Sequence, residues 1–309
     1  MDALHKFLFE GMPVRGMLVQ LGDSWREVLR RREPANGGSG ALPEPVRALL
    51  GEMTAASLLM QANIKFNGSL ILQMQGDGPV PLAVAEARPD LSFRTTATLR
   101  GEVLDTDGLQ ALLNVRGKGR CAITLDPLDR RPGQQPYQGI VSLTGDSIAH
   151  ALESYMRQSE QLDTRLWLAA DARAASGVLL QKLPAEGGRA AQARDTDAWD
   201  RTTTLAGTLT PPELLDNDPE QLVRKLFWQE RLEHGAAFAP RFECRCSRGR
   251  IGRMLLSLGR GEVEDILREQ DRVEVTCDFC NQVQSFDAVD VGQLFATGDS
   301  RSEVPERRH

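Results

Sequence analysis

Apolar positions along the 309-residue chain follow two rhythms. Short apolar or alternating runs bounded by turn residues predict strands at Val14–Leu21, Leu70–Gln75, Val80–Ala87, Phe93–Leu99, Cys121–Leu125, Ile140–Leu143, Leu166–Ala170 and Val178–Leu183. Helical spacing predicts a short helix, Trp25–Arg32, capped by Asp23 or Ser24, and a long one from Pro45 to about Lys65. Val46, Leu49, Leu50, Met53, Leu58 and Leu59 line the long helix, and Ala55-Ala56 permits close packing. A third helix follows Asp146 or Ser147, with Ile148, Leu152 and Tyr155 turned inward. Gly76-Asp77-Gly78-Pro79 reads as a hairpin turn and Asn36–Gly40 as a flexible loop. These elements predict an α/β core with antiparallel hairpins over residues 1–185, within a mixed α+β chain.

Beyond Pro184 the pattern breaks. To about Asp200 the chain is Ala, Gly, Arg, Asp and Glu, with Trp199 as the large apolar exception, and is expected to be a boundary or linker. Asp218-Pro219 is a helix start, and Leu222, Val223, Leu226, Phe227 and Trp228 make Pro219–Arg231 strongly apolar. Such a helix must dock on something, and a docked helix can undock; these five residues are a candidate latch or client surface. The linker is assigned to 186–240.

Further on, Ile251, Met254, Leu255 and Leu258 keep the i, i+3, i+4, i+7 rule, and Gly259 and Gly261 are expected to end that helix. Glu262–Glu269 predicts another turn or two, and Val273 and Val275 a strand. These lie in a small C-terminal module, 241–297, followed by a flexible tail, 298–309. A module this size holds little core without a staple.

Composition sharpens the picture. Hydrophobic residues are 41% of the chain and aromatics 5%, so the core is chiefly aliphatic. The formal net charge is −6, which disfavours nucleic-acid binding. No run of about 18 apolar residues occurs, so no membrane span is expected, and Met1–Phe9 carries Asp2, His5 and Lys6 rather than a signal-peptide pattern. A reducing, cytoplasmic setting is therefore expected for the cysteines.

Four of the five cysteines fall in one 37-residue window, as Cys244-Arg245-Cys246 and Cys277-Asp278-Phe279-Cys280. Two close pairs can converge on one tetrahedral zinc, whose thiolate ligands sit about 2.3 Å away. Three readings compete: a structural zinc knot, a redox switch on the same thiolates, and a thioredoxin-like C-x-x-C. The last leaves the C-x-C unexplained. Arg245, Arg248, Arg250 and Arg253 crowd the first pair, either to lower thiol pKa values or simply to neutralise a four-thiolate site. Cys121 fits a buried strand position. His5, His150, His234 and His309 show no pair spacing, and no nucleophile elbow or triad is evident. Gly117-Lys118-Gly119-Arg120 lacks the third glycine and the following helix of a phosphate loop and reads as a turn.

Taken together, Cys244-Arg245-Cys246-Ser247-Arg248, Cys277-Asp278-Phe279-Cys280 and Glu262–Leu267 resemble the heat-shock protein 33 family, the redox-regulated holdase chaperones of bacteria. The resemblance extends upstream through Val14-Arg15-Gly16, Gln73–Pro79, Ser159-Glu160-Gln161 with Thr164, and Gly177–Gln181. It covers nearly the whole chain. Residues 36–40 look like an insertion, and Gln284 stands where the family often has an aromatic.

The resemblance implies a chaperone, not an enzyme. It implies one Zn²⁺ per chain on Cys244, Cys246, Cys277 and Cys280 in the reduced, inactive form. It implies Cys244–Cys246 and Cys277–Cys280 disulfides on oxidation, with zinc release, linker unfolding, homodimerisation and ATP-independent holding of unfolded or oxidatively damaged clients. Clients then pass to ATP-dependent refolding chaperones. The rival is a thiol–disulfide oxidoreductase using Cys277 and Cys280; a zinc-ribbon nucleic-acid module is disfavoured by charge.

Overall fold

The computed structural model describes residues 2–33, 40–131, 133–184 and 197–299. The expected loop at 36–40, except Gly40, most of the polar tract at 184–200, and the tail from 300 onward lie outside the described residues. The chain divides into two compact units, 1–30 with 40–243 and 31–39 with 244–309.

The first unit starts with a strand that periodicity did not reveal, β1 (Ala3–Phe9), paired antiparallel with β2 (Val14–Leu21). Helices α1 (Asp23–Arg30) and α2 (Glu44–Asn63) follow, then the meander β3 (Gly68–Gln75), β4 (Leu82–Ala87) and β5 (Ser92–Thr98). A one-turn helix, α3 (Leu109–Leu113), precedes β6 (Arg120–Pro127) and β7 (Tyr137–Ser142). Gly117 takes φ +72° in the turn before β6, as the turn reading expects. Next come α4 (Ile148–Ser159), with Ser147 accepting from the His150 N–H as N-cap, β8 (Thr164–Ala170) and β9 (Ala175–Lys182). The unit ends with α5 (Ala198–Ala206), α6 (Pro211–Asp216), α7 (Pro219–Leu226), β10 (Leu232–His234) and β11 (Arg241–Phe242).

The strands form two sheets, ordered β10-β1-β2-β9-β8 and β11-β5-β4-β3-β6-β7. Only the β11–β5 pairing is parallel; the others in these sheets are antiparallel, and the chain as a whole is α+β. Helix α2 touches both sheets, which explains why it is buried on nearly every face instead of along one stripe. Leu50, Met53, Leu58 and Leu59 are fully buried there. Gly51 has no room for a side chain: a Cβ would overlap that of Ala170.

Both faces of the first sheet are covered, so its strands read as continuous apolar runs. Met17, Val19 and Leu179 point into the main core around α2. Their neighbours Leu18, Val178 and Leu180, with Phe7, Phe9 and Val14, form a second cluster with Ala198, Ala206, Leu214, Leu222, Val223 and Phe227. Residues 198–227 thus make a helical layer on the outer face of this sheet.

The second unit holds α8 (Arg248–Leu258), α9 (Arg260–Gln270), an antiparallel hairpin of β12 (Val273–Thr276) and β13 (Val283–Phe286), and α10 (Ala288–Asp299). Gly259, at φ +94°, separates the two helices; Gly261, expected to break the chain as well, lies inside α9. Beyond the last cysteine the structure adds β13 and α10 to the two helices and one strand read from the sequence. They complete a small core of Ile251, Leu255, Val263, Val273, Phe286, Val291 and Phe295.

Candidate metal centre and the docked helix

Cys244 and Cys246 lie on irregular chain just before α8, whose N-cap Ser247 accepts from the Arg250 N–H at 3.2 Å. Cys277 and Cys280 occupy the β12–β13 turn. The Asn281 N–H donates to the Cys277 carbonyl at 2.8 Å, and the Cys277 N–H to the Gln282 carbonyl at 3.1 Å. Asn281 takes the left-handed conformation, φ +56°, which Asn tolerates well.

These supports bring all four sulfurs within 4.8 Å of one another. Cys244 Sγ is 3.6 Å from Cys277 Sγ, and Cys246 Sγ is 3.3 Å from Cys280 Sγ. None is disulfide-bonded. Tetrahedral zinc–thiolate bonds of about 2.3 Å require sulfurs about 3.8 Å apart, so the donor set fits Zn²⁺ in kind, number and spacing. Cys280 is buried and the other three are half-buried.

The sulfurs are coupled through these short contacts. A hydrogen bond from Cys244 stabilises the Cys277 thiolate and pulls its pKa down to about 4. The same hydrogen bond, then burial, raises that of Cys244. Burial first, then its contact with Cys280, pushes Cys246 up to about 11. A divalent cation bound here would take the place of the protons on these sulfurs. Among the described residues no other His, Cys, Asp and Glu group converges this way.

The arginines of the first pair do not act alike: Arg245 is half-buried between the two cysteines. Arg248 turns toward the end of the module: it lies over the Phe286 ring at 4.2 Å, donates to the Ser285 carbonyl and pairs with Asp290, both at 2.6 Å. Arg250 and Arg253 are exposed. A cation that the sequence did not flag, Arg32, is buried instead against the Cys277–Cys280 loop. Cys121 is fully buried in β6, and burial pushes its thiol up to about 12, so it stays a neutral hydrophobe. His5 stands 3.9 Å from Glu220, at the start of α7.

Of the proposed latch residues, Leu222, Val223 and Phe227 are buried, and Leu226 is half-buried. Phe227 meets Phe9 edge-on, centroids 4.9 Å apart, and lies 6.0 Å from Phe7. Gly16, opposite Phe7, must lack a side chain because a Cβ would overlap that ring. Two expectations are corrected. The helix ends at Leu226, not Arg231, and Trp228 is 75% exposed. Leu222, Val223 and Leu226 share a face of α7, Phe227 is its C-cap, and Trp228 lies past the helix end, off that face. The layer is also richer than expected. In α5, Thr202 is fully buried and donates to the Ala198 carbonyl at 2.7 Å. Thr210 and Glu213 form a capping box for α6, a signature present in the sequence as Thr-Pro-Pro-Glu.

The family described as Hsp33 protein matches residues 2–287. The chain belongs to the Hsp33 family. A protein named 33 kDa chaperonin from Chromobacterium violaceum is 46% identical over 308 residues, covering 100% of this chain and 98% of that protein. One of the same name from Methylobacillus flagellatus is 45% identical over 297 residues, covering 96% and 95%. The crystal structure of the 33 kDa chaperonin, heat shock protein 33 homolog, of Thermotoga maritima superposes with TM-score 0.77 at 18% identity, over 97% of this chain and 99% of that one. The four converging cysteines of this chain therefore lie on a fold shared with a solved relative.

Proposed function

We propose that this protein is a redox-regulated, ATP-independent holdase, held inactive by zinc on Cys244, Cys246, Cys277 and Cys280 and activated by oxidation. The observation that carries the reading is the convergence of four free sulfurs within 4.8 Å on a module with a seven-residue buried core. The name 33 kDa chaperonin borne by relatives at 45–46% identity supports the chaperone class. Among the described residues, no helix is long and apolar enough to cross a membrane.

When bound, zinc cross-links the chain before α8 to the β12–β13 turn and supplies folding energy that the small core lacks. The chain's own part is the chemistry of its sulfurs. Two thiolates and two protons reduce one peroxide to two waters and leave one disulfide, so Cys244–Cys246 and Cys277–Cys280 consume two equivalents. These neighbour pairings are proposed on the family resemblance, although the shortest reduced S···S distances run across the pairs. The difference matters. A Cys244–Cys277 bond would close a loop of about 32 residues and staple the module, worth roughly 3–4 kcal/mol. Neighbour disulfides close almost no loop, remove four ligands, and leave the module free to unfold. The linker, 186–240, then loses its folded neighbour in sequence, and apolar surface on both α7 and the sheet beneath it becomes available to clients.

Oxidised protein is proposed to dimerise and to pass clients to ATP-dependent refolding chaperones in a cytoplasmic setting. Light scattering of a thermally unfolding client tests the reading. Reduced, zinc-loaded protein should leave aggregation unchanged, and peroxide-treated protein should suppress it at about equimolar ratio without ATP. Equal suppression by both forms would remove the redox switch. The rival oxidoreductase predicts catalytic turnover in insulin reduction, which a holdase lacks.

Metal content gives a second test. Reduced protein should contain one zinc per chain by elemental analysis, and Cys→Ser at 244, 246, 277 or 280 should abolish or sharply weaken binding. Cys121→Ser should leave it unchanged. Zinc-free reduced protein would sink the site.

A further inference from the structure

The chain reaches the Cys277–Cys280 loop from a point some 246 residues earlier. Segment 31–33 follows α1 directly, yet it belongs to the second unit. The Arg32 side chain is 5% exposed, the only buried arginine among the described residues. Its Nη2 donates to the Asp278 carbonyl at 3.2 Å, and the Asp278 carboxylate adds favourable charge to it. One residue earlier, the Arg31 carbonyl accepts from Asn281 Nδ2 at 2.8 Å. Asp278 directly follows Cys277, and Asn281 directly follows Cys280, so the two contacts grip the loop one residue after each of its cysteines.

Burying an arginine is costly unless its charge is matched. Four thiolates around Zn²⁺ carry a net charge of −2, which needs matching in turn. Of the cations expected for that task, Arg245 is half-buried between the first two cysteines, Arg248 is committed to Asp290 and the Phe286 ring, and Arg250 and Arg253 are exposed, where screening weakens them. Arg32 is the buried guanidinium against the ligand loop. Groups that hold a ligand-bearing loop by hydrogen bonds fix ligand geometry and affinity.

We propose that Arg32 is a positioning residue of the metal centre. Its guanidinium holds the Cys277–Cys280 loop in ligating shape through the Asp278 carbonyl, with Asn281 as the second clamp. This rests on the zinc reading above. The competing role is a simple anchor for residues 31–39, which would leave metal affinity untouched.

The test is competition between full-length reduced protein and a chromophoric zinc chelator. Arg32→Met should weaken zinc binding about 10-fold or more. Arg32→Lys keeps the charge and one donor and should recover part of the loss. Asn281→Gly keeps the left-handed backbone, removes only the side-chain clamp, and should cost a few-fold. Arg268→Met, on an exposed α9 ion pair, is the control and should match wild type. Zinc-binding wild type with unchanged Arg32→Met overturns the role of Arg32 alone; wild type that takes up no zinc overturns the metal reading itself. Should Arg32→Met fail to fold even with zinc, the other two arms decide: Arg32→Lys and Asn281→Gly binding as wild type would overturn the proposal.

Discussion

Asp at both Val223 and Phe227 is expected to turn on holdase activity in reduced, zinc-loaded protein. Both side chains are at most 2% exposed, and Phe227 closes an aromatic cluster with Phe7 and Phe9. Truncating a buried Phe alone costs about 3–5 kcal/mol, and burying two unpaired carboxylates costs more. Polar ties of the layer are modest beside this apolar contact: Gln20 Nε2 donates to the Leu215 and Asn217 carbonyls at 3.1 and 3.0 Å, Arg173 pairs with Asp216 at 2.9 Å, His5 makes a long contact with Glu220, and β10 pairs with β1 just beyond Phe227. The layer should therefore detach while α2 and the core around it, which contain neither residue, stay folded. Detachment bares Phe7, Phe9, Leu18 and Val178 on the sheet. Light scattering reads the result, with zinc content as the control that the metal centre is intact. If the double variant stays silent when reduced and behaves normally when oxidised, α7 is neither latch nor client surface. Trp228→Ala is expected to leave the reduced form inactive, because that ring contributes little to docking.

Strands β2 and β9 were legible because both faces of each are covered, so burial writes itself into near-continuous apolar runs. Strand β2 is placed to the residue. The four metal-centre cysteines were legible because a metal needs particular atoms at short spacing and leaves a compositional mark. Strand β1 was missed because Lys6, in mid-strand, sends its ammonium to the Ala62 carbonyl at the end of α2, a use that looks polar and exposed in sequence. Helix α5 was missed because its threonines satisfy their hydroxyls on the preceding turn, a tertiary device in a segment of low helix propensity. Trp228 was misplaced by treating an apolar run as one face, when α7 ends one residue before Phe227. Arg32 could not be found by any local rule: its partner lies 246 residues away, and only the folded chain joins them.

Removing zinc should unfold the second unit and spare the first. The second unit's buried core is only seven side chains. A four-thiolate zinc contributes roughly 10 kcal/mol or more, a large share of the folding energy of so small a module. The first unit is in a different position. Its main core holds α2 between two sheets and includes no atom of the metal centre. Peroxide in the presence of a zinc chelator should therefore give a biphasic outcome under limited proteolysis. Cuts are expected first within 244–299, then in the 197–243 layer as it detaches, and a fragment spanning β1 to β9 should persist. The reduced, zinc-loaded protein should resist at all these places. Simultaneous digestion of the whole chain would show that the core depends on the metal, and intact 244–299 after zinc removal would show that cross-pair disulfides, not neighbour pairs, had stapled the module.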